Sequence, residues 1–214
     1  MPPEMTSNVQ GLRVLSRRAQ ACTLCPRLAS RTAVLSELNG SPQARILMVG
    51  EAPGRRGADR TRIPFSGDQS GRNLDAILAA AGLARADIFF TSAVLCCPEE
   101  NGRNTRPRTY EIANCQPFLK AVIELIRPRI VATLGGVGLE ALGRLYGRRW
   151  KLAEVVATPI EMQTFMLMPL YHPSPQVVIT ARSLSQQTED MRQLARLAQR
   201  LAALPQPQRS RGTA

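Results

Sequence analysis

Short, wholly apolar runs alternate along this chain with longer stretches in which apolar residues return every three or four positions. Residues 46–49 (ILMV), 88–95 (IFFTSAVL), 129–134 (RIVATL) and 164–170 (TFMLMPL) read as strands buried on both faces. Helical spacing runs over 9–21 (Leu12, Leu15, Ala19), 73–81 (Leu74, Ile77, Leu78), 110–126 (Ile112, Phe118, Leu119, Val122, Ile123, Ile126), 139–146 and 185–204 (Met191, Leu194, Leu197, Ala198, Leu201). Pro128 stops the third helix, and Gly135, Gly136 and Gly138 open the fourth. Strands that alternate with helices predict an α/β fold: a central four-stranded parallel sheet flanked by helices, in three layers. One domain over 9–204 is expected, with 1–8 and 205–214 as disordered tails and 98–107 as loop.

The longest polar interruption follows the first strand. From Gly50 the chain reads GEAPGRRGADRTRIPFSGDQSG, where Gly54, Gly57, Gly67 and Gly71 free the backbone and Pro53 and Pro64 fix it. A loop of about twenty residues without regular structure is uncommon unless it has a function. Strand, glycine loop, helix is also the order that brings functional groups to the carboxyl edge of an α/β sheet. Glu51, Asp59 and Asp68 lie among Arg55, Arg56, Arg60 and Arg62; acids in such a loop commonly serve as partners for arginines, and Asp68 can cap the next helix.

Composition adds a partner. The formal charge is +12 and the pI about 10.8, and Lys120 and Lys151 are the sole lysines, so the positive charge is nearly all arginine. Arginine binds phosphate bidentately and stacks on bases, which makes nucleic acid the first partner to consider, although genomic base composition also enriches arginine. Glycine-rich backbone at Gly50 and Gly135 allows close approach to phosphates. No apolar run reaches the roughly 18 residues of a membrane span, and the amino terminus lacks the apolar centre of a signal peptide. A cytoplasmic monomer is expected.

Five cysteines are too few and too unevenly placed for a disulfide scaffold. Cys22 and Cys25 form a C-x-x-C claw at a helix end; Cys96 and Cys97 follow the second strand and Cys115 lies in the next helix. Thiolates so placed suit structural zinc or an iron–sulfur cluster. His172 is the single histidine and stands where the fourth strand meets its loop, in the segment HPSP.

Taken in order, the early C-x-x-C, GEAPG, PFSGD-x-SG, a cysteine after strand two, another before PFL, and HPS after the last strand resemble the iron–sulfur uracil-DNA glycosylases of bacterial and archaeal families four and five. The resemblance covers roughly residues 22–201. GEAPG resembles family four, whereas GADRT, GD-x-SG and HPS with TARSL beyond it are similar to family five. Family four has an acidic residue where this chain has Gly57, and an asparagine that reads the pyrimidine edge where this chain has Ser92, so strict uracil selectivity does not follow.

That resemblance implies a monofunctional glycosylase that hydrolyses the N-glycosidic bond of uracil, and of other deaminated bases, in single- or double-stranded DNA during base-excision repair. It implies His172 as donor to the base O2; Glu51, Asp59 or Asp68 as the carboxylate for the water or the sugar cation; Phe65 as the stacking ring; and Gly50 and Ser92 at the base. Pro173, Ser174 and Arg182 would press into the duplex. A [4Fe–4S] cluster would sit on Cys22, Cys25, Cys96 and Cys115, leaving Cys97 spare. No lysine in these motifs can form a Schiff base, which argues against lyase activity. The alternative is a protein of the same fold that binds or traps damaged DNA without turnover.

Overall fold

A computed structural model describes residues 3–203. The helix α1 (Pro3–Gln20) leads to β1 (Ile46–Gly50), the short α2 (Ala58–Thr61), α3 (Gln69–Ala80) and β2 (Ile88–Ser92). A hairpin of β3 (Glu99–Glu100) and β4 (Arg103–Asn104) precedes α4 (Thr109–Ile126) and β5 (Ile130–Leu134). Then come α5 (Gly136–Tyr146), α6 (Leu152–Val155), β6 (Ile160–Glu161), β7 (Met166–Leu170), α7 (Pro175–Thr180) and α8 (Leu184–Ala202).

The sheet order is β2-β1-β5-β7-β6. Its four long strands pair in parallel, in the register Val49 to Thr91 and to Thr133, and Thr133 to Pro169. The four-stranded sheet expected from the apolar runs is therefore five-stranded, because β6 adds an antiparallel edge at Ile160 and Glu161. Two residues inside a polar stretch carry no periodicity that would reveal it.

Both faces are covered, as a parallel sheet requires. Leu12, Leu119, Val122 and Leu142, from α1, α4 and α5, pack against Leu47, Val49 and Val131. Leu74, Ile77, Leu78, Met191 and Leu194, from α3 and α8, pack against Met48, Phe90, Ala132 and Met168 on the other face. Three local expectations are corrected. The region expected as a tail at 1–8 is helical from Pro3, since α1 continues the same turn pattern upstream. The second strand ends at Ser92, where the chain bends toward Cys96, and 98–107 contains the β3–β4 hairpin. The tail expected at 205–214 lies outside the described residues.

Chain order reverses between β1 and β5. β1 hands on to β2 on one side, and the chain then returns to place β5 and β7 on the other, which opens a crevice at the carboxyl ends of the strands. Gly50, Ser92, Gly135 and the loop after β7 all stand at that edge.

Candidate active site

Phe65 lies at the centre of this edge. Its backbone is left-handed, with φ of 51°, an unusual state for a bulky residue. Two glycines make room for it. A Cβ on Gly71 would stand 2.4 Å from the Phe65 carbonyl oxygen, and one on Gly50 would stand 2.6 Å from the ring. The ring lies 5.8 Å from the His172 imidazole, tilted by 38°.

His172 leaves the end of β7 beside Gly135, where a Cβ would come within 3.2 Å of the histidine Cβ. Its loop is fixed at two points. Asn73 of α3 donates through Nδ2 to the Pro173 carbonyl at 2.8 Å, and the Ser174 hydroxyl accepts from the Val177 amide to cap α7. Burial lowers the imidazole pKa below its usual value, while the Asp68 carboxylate opposes the shift. The ring is therefore poised as a neutral donor.

Asp68 caps α3: its Oδ1 accepts from the Gly71 amide at 2.9 Å. The second oxygen is turned toward the glycine loop, where a Cβ on Gly57 would lie 2.4 Å from Oδ2. Glu51 follows Gly50 directly, and burial raises its carboxyl pKa against the opposing charge of Arg106. Asp59 is another of the three acids that the resemblance offers for the water or the sugar cation. Arg31, at 3.4 Å, and Arg62, at 4.0 Å, hold it, and Arg62 also donates to the carbonyls of Thr32 and Ala33. Asp68 is the acid that borders Gly57.

Behind α1 a separate cavity is lined by Cys22, Cys25, Cys96 and Cys115, with Leu28, Leu95 and Phe118. Cys97 is fully buried elsewhere, under the influence of Asp59 and Arg31. Burial pushes the Cys96 thiol up to about 12 and Cys115 to about 11, and the neighbouring cysteines act in the same direction on both. Two ties draw the cysteine segments together. Arg27 makes a bidentate pair with the fully buried Glu111, at 2.9 and 2.6 Å, and Asn114 donates to the Leu24 carbonyl at 2.9 Å and to Cys25 Sγ at 3.6 Å. Among the described residues no group of three or more His, Cys, Asp or Glu is placed to hold a single metal ion. Thiolates on one tetrahedral zinc must lie about 3.8 Å apart, given zinc–sulfur bonds of about 2.3 Å. Four thiols on one cavity are the donor set of a zinc or an iron–sulfur site.

A family model described as the uracil DNA glycosylase superfamily matches residues 39–196. The chain belongs to this superfamily. The type-4 uracil-DNA glycosylase of Thermotoga maritima is 33% identical over 164 residues, covering 76% of this chain and 81% of that protein. The type-5 uracil-DNA glycosylase of Pyrobaculum aerophilum is 32% identical over 192 residues, covering 75% and 81%. The type-4 enzyme of Sulfurisphaera tokodaii is 30% identical over 180 residues, covering 78% and 76%. Near-equal likeness to both types agrees with the mixed motifs of the sequence.

Within the uracil-DNA glycosylase frame, two expected contact residues sit differently: Pro173 is buried, its carbonyl held by Asn73, and Arg182 is paired away from the surface. Arg182 was expected at the duplex, but both its Nε and Nη2 donate to Asp190 of α8 at 2.5 Å, and its guanidinium lies 6.0 Å from the Tyr171 ring centroid. The large apolar side chain of α7 that faces outward is Ile179, 83% exposed. Sequence reasoning also missed Asn73 and Arg85. Asn73 left a signal, because it is a polar residue on the apolar side of α3 beside Leu74. Arg85 left none; its partners are 10 or more residues away, at Asp75 and Pro64. No helix among the described residues is long and apolar enough to cross a membrane.

Proposed function

We propose that this chain is a monofunctional uracil-DNA glycosylase that flips uracil out of DNA, hydrolyses its N-glycosidic bond and so starts base-excision repair. The observation that carries the reading is the meeting of Phe65 with Gly50 and His172 at the carboxyl edge of a superfamily fold, with the Asp68 carboxylate near enough to act on the imidazole. The kinship with type-4 and type-5 enzymes supports the same substrate.

Phe65 stacks on the extruded base, with Gly50 and Ser92 at its edge. As the C1′–N1 bond breaks, electrons move to the base and charge gathers at O2. A neutral His172 donates a hydrogen bond there, in a site from which solvent is displaced, so its contribution exists chiefly in the transition state. Glu51 or Asp68 faces the developing sugar cation and orients the attacking water; Asp59, engaged by two arginines, drops out of this role. The water's oxygen bonds to C1′ and the uracil anion takes up the proton. Ser174 and the exposed Ile179 meet the duplex, with Ile179 as an apolar wedge in the vacated stack, while the buried Pro173 holds their loop through Asn73. Arg182 holds this segment to α8 rather than touching DNA.

Cys22, Cys25, Cys96 and Cys115 would hold a [4Fe–4S] cluster, in keeping with the donor set around one cavity. When bound, the cluster supplies a rigid cross-link between the segment before β1, the bend after β2 and α4.

The deciding experiment is single-turnover excision from a uracil oligonucleotide, read after alkali. His172→Ala should slow excision about 100- to 1,000-fold with little change in DNA affinity. A wild-type protein that binds uracil DNA without excising it would favour the binding or trapping alternative, and a His172→Ala protein at full rate would remove the O2 donor.

A further inference from the structure

We propose that Arg85 is a positioning residue for the excision reaction, holding Phe65 in the pose that receives the base. The inference rests on the reading that Phe65 stacks on the flipped base.

Arg85 lies in the short 3-10 turn Arg85–Asp87 just before β2, outside every motif of the site. Three contacts converge on its guanidinium. Nη1 pairs with Asp75 of α3 at 2.9 Å, Nη2 donates to the Pro64 carbonyl, and the group lies 4.6 Å from the centroid of the Phe90 ring. Phe90 in turn stands 5.9 Å from Phe65, which stands 5.8 Å from His172. A cation, two phenyl rings and the imidazole thus form one continuous run of tilted ring contacts, from Arg85 to the proposed O2 donor.

The bond to Pro64 matters most. The Pro64 carbonyl belongs to the peptide that joins Pro64 to Phe65, so a hydrogen bond to it holds that peptide plane. The plane of that peptide sets the φ of Phe65, which is left-handed and strained for an aromatic residue. Gly50 and Gly71 permit this conformation but cannot enforce it. Arg85 can, because its planar fork bonds the carbonyl while its face lies on Phe90 and Asp75 fixes its orientation. A lysine has no such fork and cannot satisfy all three at once.

The consequence is tested by a mutant cycle of single-turnover excision rates on a uracil oligonucleotide, with affinity for uracil-free DNA measured alongside. Arg85→Ala should lose about 10- to 100-fold in rate, the scale of a small misplacement in a positioned site, at nearly unchanged affinity. Because Arg85 acts through Phe65, the double variant with Phe65→Ala should be no slower than Phe65→Ala alone. Arg85→Lys, which keeps the charge, should behave like Arg85→Ala and serves in its place should the alanine variant fail to fold. A wild-type rate in both Arg85 variants, or losses that multiply in the double variant, would overturn the proposal while leaving Phe65 in its role. A wild-type rate in Phe65→Ala would instead overturn the stacking reading, and this proposal with it.

Discussion

Asn73 reaches from α3 to the Pro173 carbonyl, 2.8 Å away, and so ties the helix that begins at Asp68 to the loop that carries His172. Gln69, one turn earlier, donates to the Asn73 Oδ1 at 2.8 Å and fixes the amide's orientation. Both groups at the central bond are buried. Asn73→Leu keeps the branched shape and leaves the carbonyl unpaired, at a cost of about 1–3 kcal/mol. It should also slow excision, because His172 and Asp68 lose their common reference. Denaturant unfolding and single-turnover rates check this; an unchanged rate at reduced stability would mean that the loop holds His172 without α3.

The cysteine cavity makes a second prediction. The purified protein should be brown and contain iron and sulfide, and Cys97→Ser should retain the colour that Cys96→Ser loses. Asn114→Leu should still load the cluster but release iron to a chelator about 10- to 100-fold more readily, because the amide that donates to Cys25 Sγ is gone. Colourless protein with one bound zinc would refute the assignment.

A third concerns pH, and its sign differs for the two buried groups. Burial raises the Glu51 pKa above 4.5, so the folded state binds that proton more tightly than the unfolded chain does. Stability owed to this group is present below 4.5 and is lost as pH rises through the folded value. His172 has a lowered pKa, so its penalty appears as pH falls from 6.5 through the folded value. At neutral pH, Glu51→Gln should therefore be more stable than wild type. If Glu51 supports the sugar cation, the same variant should lose excision activity and the acid limb of the wild-type pH–rate profile. A limb that persists in Glu51→Gln but disappears in Asp68→Asn would assign the role to Asp68.

The apolar runs at 46–49 and 129–134 were enough to read the parallel core, because strands buried on both faces show as uninterrupted hydrophobic sequence. The two-residue edge strand β6 left no such run. At the site, what was legible was residue type within motifs: His172 and Phe65 meet, and four cysteines share a cavity. What was illegible was pairing. Asp59 and Arg182 had suitable chemistry, but Arg31 and Asp190 reach them from segments 28 and 8 residues away, and no local pattern encodes which partner wins. Asp68 illustrates the reverse case: one carboxylate caps a helix through one oxygen and offers the other to the glycine loop.

The same pairing separates arginines already engaged by a carboxylate from those that carry no ion pair. Arg62, Arg106, Arg108 and Arg182 each carry an ion pair, with Asp59, Glu140, Glu100 and Asp190, whereas Arg55, Arg56 and Arg60 have none among the described residues. Arg56 and Arg60 are exposed, and the Arg55 amide is anchored on the Asn104 side chain at 2.9 Å, so the glycine loop presents its charge on a fixed frame. Replacing Arg56 or Arg60 by alanine should therefore weaken DNA binding and lower the slope of log affinity against log salt, by about 0.9 for duplex or about 0.7 for single strands for each phosphate no longer neutralised. Arg182→Ala should leave that slope intact and lower stability instead, since it strands the buried Asp190. Salt titrations of binding beside unfolding curves separate the two classes, and an unchanged slope in the Arg56 and Arg60 variants would move the DNA path off the glycine loop.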